Sequence, residues 1–419
     1  MNVWAVWLFW ILLGLAVGQA LLVWRFVLAL RQARWDVPPE TPCPKTAVVL
    51  CLRGPDPFLP ACLEAILQQD YPEYDVRVVV DSPQDPAWKT VAEAVARHGA
   101  ANVQVRPLTA RRETCSLKCS AVLQAVSELD ASYEAVALVD ADTVPHRTWL
   151  RELVAPLADP RVGACTGNRW YMPAVLSWGS LVRWLWNVAA SVQMFWYRIP
   201  WGGTLAVKLS VFREAGLADR WSRAFCEDTM LYGQLRRAGY RVAFAPTLMM
   251  VNRENVSLHG CYRWVARQLL TARLYHPAWW LVVGHGIGIA AAQLACLGLL
   301  GAACVLGDRL AAAWLIAALS LYWLAMAGLT ATLERSVRRI TAARGEPTDW
   351  LRRSALFRVA AALLLTQGLY TGALLAALAA RVVQWRGVRY RIDAPWRIRL
   401  IEYQPYLEER EPVQTAESL

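Results

Sequence analysis

The sequence predicts an α/β domain with a Rossmann-like parallel sheet, joined to transmembrane α-helices. Two observations favour this fold class. Of the 419 residues, 56% are hydrophobic and only 18% are charged, which is too apolar for an ordinary soluble protein. In addition, bilayer-length apolar runs flank a middle region, Lys45–Asn255, in which the runs shorten to strand length and alternate with helical patterns. A soluble domain and membrane helices therefore share the chain.

The first predicted element is a transmembrane helix. Val3–Leu30 is almost entirely apolar, and about 20 such residues are needed to cross a bilayer. A cleaved signal peptide is disfavoured because no basic residue precedes the run. Arg25, Arg31 and Arg34 lie at its exit end, so the positive-inside rule predicts a cytosolic domain after it. The proline-rich segment Asp36–Pro44 is expected to be a linker.

The α/β domain follows as an alternation of short strands and amphipathic helices. In such sheets ligands bind at the carboxyl ends of the strands, so the polar residues after each strand are the candidates for chemistry. The predicted strands are Thr46–Leu52, Val76–Val80, Val103–Arg106 and Ala135–Val139, and the predicted helices are Phe58–Gln69, Pro86–His98 and Ser116–Leu129.

A helix at Trp178–Tyr197 stands apart from this alternation. It contains four Trp and one Phe, yet it also carries Arg183 and Asn187. A helix that lies in the plane of the membrane interface fits this pattern better than a span. A buried core helix of the domain is the alternative.

The membrane pattern returns after Pro277. Candidate spans are Trp279–Leu306, Leu310–Leu333 and Ala355–Ala380, and the arginine-rich segment Glu334–Arg353 between the last two is expected on the cytosolic side. These limits divide the chain into a transmembrane helix (1–35), the α/β domain with its interface helix (45–255), an Arg/Trp/Gln segment (256–277), transmembrane helices (279–380) and a basic tail (381–419).

The side of the membrane on which the tail lies is left open by the sequence. Strict alternation exports it, whereas its arginines favour the cytosol. A re-entrant last segment, interrupted near Gln367 and Gly368, would reconcile the two.

Composition excludes several classes of protein. The 22 Trp, many at the ends of apolar runs, suit a membrane protein. The net charge of +11 comes from arginines beside apolar segments, so anionic lipid headgroups explain it better than nucleic acid. The ten Cys include no CxxC pair, which favours reduced thiols over a zinc or redox site.

The strongest chemical signal is a pair of carboxylates at the end of the fourth predicted strand. Asp140 and Asp142 flank Ala141, and in an extended chain residues two apart point to the same side. Both can therefore approach one divalent cation that also holds a diphosphate. A solvated loop or a helix cap near Arg147 is the alternative.

Three further residues are candidates for donor binding. Asp81 directly follows a predicted strand, where a carboxylate can accept hydrogen bonds from a nucleobase or ribose. Arg53 holds the same position after the first strand. Lys118 lies early in a helix, where its ammonium and the helix amino end can face a diphosphate. A structural Asp in a turn and a solvated Lys are the alternatives.

Glu227 and Asp228 form a second acidic pair ahead of a predicted helix, Thr229–Ala238. A general base must ionise and lie near the acceptor hydroxyl, and an Asp at the mouth of the sheet can meet both needs. An acidic helix start that complements the helix dipole is the equally weighted alternative.

Five pieces follow one another along the chain: Asp81, Asp140-Ala141-Asp142, Trp201-Gly202-Gly203-Thr204, Glu227-Asp228-Thr229 and an Arg-Trp segment. In this order they resemble the membrane-bound family 2 glycosyltransferases with the GT-A fold. Among these, the sequence is similar to ceramide glucosyltransferase-like enzymes and bacterial hopanoid glycosyltransferases. The resemblance covers about Lys45–Pro277 and extends loosely to Trp385-Arg386-Gly387 before Tyr390.

The resemblance implies an inverting transfer from a nucleotide sugar, with uridine diphosphate (UDP) as the usual carrier, to a ceramide-like or hopanoid-like membrane lipid. It implies Asp81 at the nucleoside, Asp142 with Asp140 on Mg²⁺ or Mn²⁺, and Asp228 as catalytic base. The expected location is a bacterial inner (plasma) membrane with the catalytic domain in the cytosol. On the acceptor and diphosphate side the candidates are Glu227, Gly202 and Gly203.

The last family motif, Gln or Arg, two residues and then Arg-Trp, is imperfect. Arg263 and Trp264 match, but Gly260 stands in the place of the Gln or Arg. Arg267 and Gln268 can supply the missing cation and amide, so these two residues are grouped with Arg263 and Trp264 as acceptor-side candidates. The departure concerns acceptor handling more than donor binding.

Three other functions compete with this interpretation. A processive polysaccharide synthase would share the donor site but is expected to carry an intact motif and more spans. A catalytically inactive scaffold or lipid-binding protein would not need all four of Asp81, Asp140, Asp142 and Asp228. A transporter is disfavoured because about half of the chain is soluble α/β. The sugar, the lipid and the oligomeric state are not indicated by the sequence.

Overall fold

A computed structural model describes residues 1–33, 37, 40–351 and 353–406. Short helices and strands alternate in the middle of the chain, and long helices flank them. In chain order the elements are α1 (Asn2–Gln32), β1 (Thr46–Leu52), α2 (Leu59–Leu67), β2 (Tyr74–Val80), α3 (Pro86–His98), β3 (Val103–Pro107), α4 (Leu117–Ser127), β4 (Ala135–Val139), α5 (Trp149–Val154), β5 (Val162–Tyr171), α6 (Trp178–Tyr197), β6 (Thr204–Lys208), α7 (Leu209–Glu214), α8 (Leu217–Trp221), α9 (Leu231–Arg237), β7 (Arg241–Asn252), α10 (Leu258–Tyr275), α11 (Trp279–Leu306), α12 (Arg309–Ala342), α13 (Leu356–Ala379), β8 (Val382–Trp385), β9 (Val388–Ala394) and β10 (Arg397–Tyr403).

The central sheet has seven strands in the order β3-β2-β1-β4-β6-β5-β7. Its neighbours pair in parallel, except that β6 runs antiparallel to both β4 and β5. Because β1 and β4 are covered by helices on both faces, they are continuous apolar runs rather than alternating ones. This is a mixed α/β fold with a mostly parallel central sheet, as the sequence predicts.

The four strands predicted from sequence are confirmed, two of them (β1 and β4) with the predicted limits. The prediction missed β5, β6 and β7, which complete the sheet. Two predicted helix starts have visible causes: the Asp85 side chain accepts a hydrogen bond from Ala87 N at α3, and the Ser116 side chain accepts one from Cys119 N at α4. These caps fix where each helix leaves the sheet edge.

Four helices of the described chain are long and apolar enough to cross a membrane: α1, α11, α12 and α13. α1 packs along α12 and also contacts α11. The α12 helix continues past the predicted end of its span at Leu333, to Ala342. Its extension reaches the α/β domain, where Arg344, just beyond the helix, pairs with Glu152 at 2.6 Å.

The first turn of this extension carries a buried carboxylate that joins membrane helix to domain. Glu334 Oε2 accepts hydrogen bonds from the indole N–H groups of Trp170 and Trp184, at 2.9 and 3.1 Å. Its Oε1 accepts from Arg338 Nε at 2.7 Å and from Trp350 Nε1 at 3.0 Å. Four donors from β5, α6, α12 and the following loop thus compensate the desolvation of one acid.

α13 is a candidate span, as the sequence predicts, but it lacks the interruption considered near Gln367 and Gly368. It is one uninterrupted helix through Gln367 and Gly368. Near its start Arg358 lies over the ring of Trp178, and at its end Arg273 donates to the carbonyl oxygens of Leu378 and Ala380. Both ends of α13 therefore contact the helices α6 and α10 that pack on the same domain.

The segment expected to be a basic tail is folded up to residue 406. β8, β9 and β10 form a three-stranded antiparallel sheet, and Val388, Tyr390 and Ile392 of β9 join the hydrophobic cluster on the α4 side of the central sheet. The expectation missed this sheet because its apolar residues alternate with arginines, which dominated the composition. Residues 407–419 of the predicted tail lie outside the described residues, as do Arg34 and part of the predicted linker.

The helix α6 is largely buried, as expected for the core helix that was the alternative considered from the sequence. Eleven of its 20 residues are buried, including Trp184 and Arg183, and it packs on β5, α10 and α13. Trp178 and Trp196, near its two ends, remain exposed. The buried Arg183 is compensated by Glu254, at 2.6 Å.

Candidate active site

One cavity of about 250 Å³ lies at the carboxyl ends of the parallel strands. It lies at the sheet edge where an α/β fold places its ligands. The sequence-predicted residues that line it are Arg53, Asp81, Lys118, Asp140, Asp142, Glu227, Asp228, Trp264, Arg267 and Gln268. The predicted pieces are thus assembled around one space.

A buried ion triad forms the centre of the acidic end. Lys118 Nζ lies 2.5 Å from Asp140 Oδ1 and 2.6 Å from Glu227 Oε1. Lys118 is placed there by the first turn of α4, Asp140 by the end of β4, and Glu227 by the loop before α9. Lys118 was expected to face a diphosphate; its ammonium instead bridges the two acidic segments.

The triad shifts the ionisation of all three groups. Burial favours the neutral form of Lys118, but Asp140 and Glu227 outweigh it and raise its pKa well above the ordinary value. Burial also opposes ionisation of Asp140, yet Lys118 lowers the pKa of that carboxyl. For Glu227 burial prevails, helped by Asp228 and Asp140, and raises the pKa to about 7.

Asp142 has a different environment from Asp140. Its Oδ2 accepts a hydrogen bond from Asn252 Nδ2 at 3.1 Å and lies 3.6 Å from Arg169 NH1. Burial, together with the nearby acids, raises the pKa of Asp142 to about 6. Its Oδ1 is buried and has no hydrogen-bond partner among the described residues. A buried carboxylate oxygen without a donor is the arrangement that a cation would complete.

The residues present fit one divalent cation with two protein ligands. No group of three or more His, Cys, Asp or Glu side chains in the described chain is placed to hold a metal ion by itself. Mg²⁺ and similar ions at nucleotide sites are commonly held by one or two carboxylates together with phosphate oxygens and water. Asp140 and Asp142, with the unpartnered oxygen of the latter, are the donor set for such a site.

Asp228 is fixed by hydrogen bonds on both of its oxygens. Its Oδ2 accepts from the backbone N–H of Gly202 at 2.9 Å, and its Oδ1 accepts from the Thr229 hydroxyl at 3.0 Å. The carboxylate is only half-buried, in contrast to Glu227 beside it. Asp228 is therefore oriented by its neighbours and accessible from the cavity.

The two glycines of the Trp-Gly-Gly-Thr segment are required by close approach. A Cβ on Gly202 would clash with Glu227 Oε1, and a Cβ on Gly203 would clash with the Trp201 ring and lie 2.8 Å from Asp140 Oδ2. These residues were predicted on the acceptor and diphosphate side. They adjoin the site by letting β6 approach the carboxylates rather than by offering side chains.

Another part of the cavity, called the basic end below, is positively charged and aromatic. Arg169 of β5 stacks on the rings of Trp201 and Trp264, with its guanidinium carbon 4.6 and 5.4 Å from the ring centres. Arg267 of α10 also lines the cavity. Burial and the neighbouring Arg169 and Arg386 lower the pKa of Arg267 to about 10. The basic end thus holds positive charge in a partly dry environment, and it adjoins the carboxylates through Arg169, whose NH1 lies 3.6 Å from Asp142 Oδ2.

Only some of the residues grouped around the imperfect Arg-Trp motif line the cavity. The cavity-facing residues Trp264, Arg267, Gln268 and Thr271 recur at the spacing of one helical face. Arg263 lies on the exposed side of the helix and is not among the residues that line the cavity, so the structure does not bring it together with Trp264, Arg267 and Gln268. Arg267 is the arginine that this helix presents to the site.

Asp81 and Arg53 form a closed pair at the other wall. Arg53 pairs with Asp81 Oδ2, donates from Nε to the carbonyl of Arg386 at 2.9 Å, and donates from NH2 to the carbonyl of Gln404 at 2.5 Å. Tyr403 also donates to Asp81 Oδ2, at 2.9 Å. Arg53 was expected to bind the donor; its guanidinium instead ties the C-terminal sheet to Asp81.

Asp81 keeps one oxygen for another partner. Its Oδ1 is buried without a hydrogen-bond partner among the described residues, while the residue as a whole lines the cavity. The cavity beside it is bordered by Leu108, Ser116 and Tyr390.

The C-terminal hairpin contributes residues that the sequence did not assign to the site. Trp385, Arg386 and Tyr390 line the cavity, and Arg386 and Gly387 take positive φ angles of 42° and 73° in the turn between β8 and β9. Two such residues are typical of a tight hairpin turn. Tyr390 accepts a hydrogen bond from Leu117 N at the start of α4, at 3.0 Å.

Some of the cavity residues that were not predicted are marked by a sequence motif, and others are not. The Trp385-Arg386-Gly387 motif before Tyr390 was visible in the sequence as part of the resemblance. Arg169 had no such signal, because it lies in β5, a strand that was not predicted. Asp56, which lines the cavity and lies 3.5 Å from Arg386, was likewise missed.

A comparison with protein families finds a match over most of the chain. The sequence model described as glycosyl transferase family 21 matches residues 8–398. The match includes all of the cavity residues. A comparison with curated proteins finds no significant match.

A comparison with solved structures finds several that are similar to this chain. Mannosyltransferase PcManGT from Pyrobaculum calidifontis, in complex with GDP-Man and Mn²⁺, is 23% identical, with 88% of this chain and 97% of that chain covered and a TM-score of 0.49. S. aureus TarS is 11% identical, with 85% and 60% covered and a TM-score of 0.38. A shorter form, S. aureus TarS 1–349, is 12% identical, with 83% and 96% covered and a TM-score of 0.39. Because these identities and TM-scores are low, the GDP-Man and Mn²⁺ of the mannosyltransferase complex say nothing about the substrate or ion of this chain.

Proposed function

The chain belongs to glycosyl transferase family 21, and we propose that it is an inverting enzyme that transfers a sugar from a nucleotide diphosphate sugar to a lipid hydroxyl at the membrane surface. One observation carries the proposal: Asp140, Asp142, Asp228 and Arg267 line a single cavity. In a site of this kind, carboxylates can bind a metal ion and accept a proton, and an arginine can bind an anionic group of the substrate.

Asp228 is the proposed catalytic base. Gly202 N–H and the Thr229 hydroxyl hold its two oxygens in one orientation, so the carboxylate needs little rearrangement to accept a proton. It takes that proton from the lipid hydroxyl as the oxygen attacks the anomeric carbon. The carbon–oxygen bond to the diphosphate breaks on the opposite face, which inverts the configuration.

Asp140 and Asp142 are the proposed holders of Mg²⁺ or Mn²⁺. Such an ion supplies positive charge to a leaving diphosphate. Lys118 keeps Asp140 ionised and in place, and Arg169 lies against Asp142. The neighbouring Asp81, with its unpartnered oxygen, is the proposed contact for the nucleoside, with UDP as the expected carrier.

The acceptor side is proposed to be the end of the cavity formed by α10. Trp264, Arg267 and Gln268 lie there, and α10 packs on α6 and α13. Because both ends of α13 contact this same domain, we propose that α13 stays on the domain's side and that only α1, α11 and α12 cross the bilayer. A ceramide-like or hopanoid-like lipid would then reach the site from the interface.

The orientation follows from the same elements. The ends of α1 and α12 next to the domain carry Arg25, Arg31, Arg335 and Arg339. The positive-inside rule places this side in the cytosol. A bacterial inner (plasma) membrane is the proposed location.

Turnover with a panel of substrates tests the proposal. Purified full-length protein in detergent would be given Mg²⁺ or Mn²⁺, a set of nucleotide sugars and a total lipid extract, and mass spectrometry would score released nucleotide and new glycolipid. Asp142→Asn should lower glycolipid formation by roughly 10²–10³-fold, because the site loses a ligand for its cation.

A matched control separates this loss from a general effect of removing an acid. Asp219→Asn changes an exposed carboxylate of α8 that pairs with Arg223, and its activity should equal that of the wild type. Glycolipid formation that is equal in wild type and Asp142→Asn, or nucleotide release without any lipid product from every donor, would contradict the proposal.

A further inference from the structure

A second cavity, of about 390 Å³, lies between the end of α1 and the extension of α12. It is lined by Leu30 and Arg31 of α1 and by Thr332, Arg335, Ser336, Arg339 and Ile340 of α12. None of these residues lines the catalytic cavity. Its volume is within the range of small-molecule sites, roughly 300–1,000 Å³.

The cavity combines three guanidinium groups with no carboxylate in its described lining. Arg31, Arg335 and Arg339 form no ion pair with any described residue. The acid next to them in sequence, Glu334, faces away and is taken by Arg338 and three indole N–H groups. Three like charges without a counter-charge repel one another, and an anion between them removes that repulsion.

The spacing on α12 shows that this is one face of the helix. Thr332, Arg335, Ser336 and Arg339 follow at intervals of three and four residues. The two hydroxyls donate to carbonyl oxygens of their own helix, from Thr332 to Gly328 and from Ser336 to Thr332, each at 2.8 Å. The donors available to a ligand are therefore the guanidinium groups, whose planar forks match phosphate oxygens.

The depth of the cavity indicates where its ligand comes from. The apolar residues of α1 end at Leu30 and those of α12 at Leu333, which is the level at which lipid headgroups meet a transmembrane helix. One to three turns further into the helices, Leu21, Trp24 and Leu324 are exposed. A ligand with an anionic phosphate at the arginines and acyl chains along this apolar surface satisfies both features.

We propose that the cavity between α1 and α12 binds the phosphate group of an anionic phospholipid, such as phosphatidylglycerol. A free phosphate ion shares the recognition chemistry of the arginines but leaves the adjoining apolar surface unused. Basic pockets between transmembrane helices on the cytosolic side are suited to such headgroups. The site does not depend on the proposed transfer reaction, and its test does not use turnover.

The test measures which lipid stays bound. Full-length protein would be reconstituted in nanodiscs of mixed phosphatidylcholine and phosphatidylglycerol, released in the mass spectrometer, and scored for retained lipid. The wild type should retain phosphatidylglycerol in preference to phosphatidylcholine. The double variant Arg335→Gln with Arg339→Gln should weaken apparent phosphatidylglycerol binding about thirtyfold.

Two controls keep the result specific. Arg236→Gln with Arg237→Gln removes the same charge from exposed positions at the end of α9 and should retain phosphatidylglycerol like the wild type. Arg335→Lys with Arg339→Lys keeps the charge and should retain most of the binding, which covers the case in which the Gln variant does not fold.

Three outcomes would overturn the proposal. Equal retention of the two lipids by the wild type would remove the preference, and equal loss in the α9 control would make it a matter of total charge. Inorganic phosphate is the third probe. If it raises the thermal midpoint of the wild type in phosphatidylcholine as much as phosphatidylglycerol does, the ligand is a soluble anion rather than a lipid.

Discussion

The acidic and basic ends of the catalytic cavity are assembled in different ways. The acids come from short segments of the α/β domain: Asp140 and Asp142 follow β4, and Glu227 and Asp228 precede α9. The arginines come from elements far apart in sequence. Arg169 lies in β5, Arg267 on α10, and Arg386 in the hairpin after α13.

The two ends also differ in how their charge is compensated. Lys118 lies between two carboxylates, so the acidic end carries its own counter-charge. Arg267 has no ion pair among the described residues, and burial with two neighbouring arginines lowers its pKa to about 10. The carboxylates of the acidic end thus share a buried ammonium, whereas Arg267 of the basic end has no acidic partner among the described residues.

The largest difference between the two candidate arginines of α10 is expected in turnover. Arg267→Gln should lower kcat by roughly 10²-fold, the usual loss when a donor to a developing negative charge is removed. Arg263→Gln should stay within about twofold, since exposed charges away from a site have small effects. Steady-state kinetics with saturating donor would measure both.

These variants form a matched pair on one helix. Each replaces one arginine of α10 by glutamine, so a change in helix stability would affect both. If Arg263→Gln loses as much activity as Arg267→Gln, or if Arg267→Gln is fully active, the helical face assigned to the site is incorrect.

The acidic end should also show a pH dependence of stability. Burial raises the pKa of Glu227 from the ordinary 4.5 to about 7 in the folded protein. The folded state then holds a proton that the unfolded state releases, so this group's contribution to stability falls as pH rises from about 4.5 to about 7 and is constant above. Glu227→Gln removes the titration.

Thermal unfolding in detergent between pH 4.5 and 7.5 would measure this dependence. The midpoint of the wild type should fall relative to that of Glu227→Gln as the pH increases across the window. Parallel curves for the two proteins would show that Glu227 ionises normally and that Lys118 compensates it fully.

The smallest effect is expected from the C-terminal hairpin. The indole N–H of Trp385 is buried without a partner among the described residues. Trp385→Phe keeps the ring and removes this donor, so the free protein should not lose stability. The KM for the nucleotide sugar should rise about fivefold, because the variant can no longer donate a hydrogen bond to the bound nucleotide sugar. An unchanged KM would show that the hairpin only covers the site.

Much of the acidic end was predictable because its residues are marked by local pattern. A continuous apolar strand, Ala135–Val139, runs into Asp140, and that junction locates both a strand end and the proposed cation ligands. The start of α4 was similarly visible from Ser116 as a cap. The limits of β1, β4, α3 and α11 agree with the sequence prediction for the same reason.

The basic end was less predictable because it depends on tertiary contacts. Arg263 and Arg267 are both arginines of one helix, and only packing on the domain decides which faces the cavity. Arg53 follows a strand as Asp81 does, but its guanidinium donates hydrogen bonds to carbonyl oxygens of the C-terminal segment. α13 has the hydropathy of a span, and only its contacts at both ends place it beside the domain.

In the proposed mechanism Asp228 accepts the proton of the lipid hydroxyl, while other residues bind the nucleotide sugar. Asp228→Asn keeps an oxygen for Gly202 N–H, so the protein should bind the nucleotide sugar with the Kd of the wild type in a calorimetric titration with Mn²⁺. Single-turnover transfer to lipid should then be slower by about 10³-fold. A transfer rate within tenfold of that of the wild type, at equal occupancy by the nucleotide sugar, would show that Asp228 is not the catalytic base.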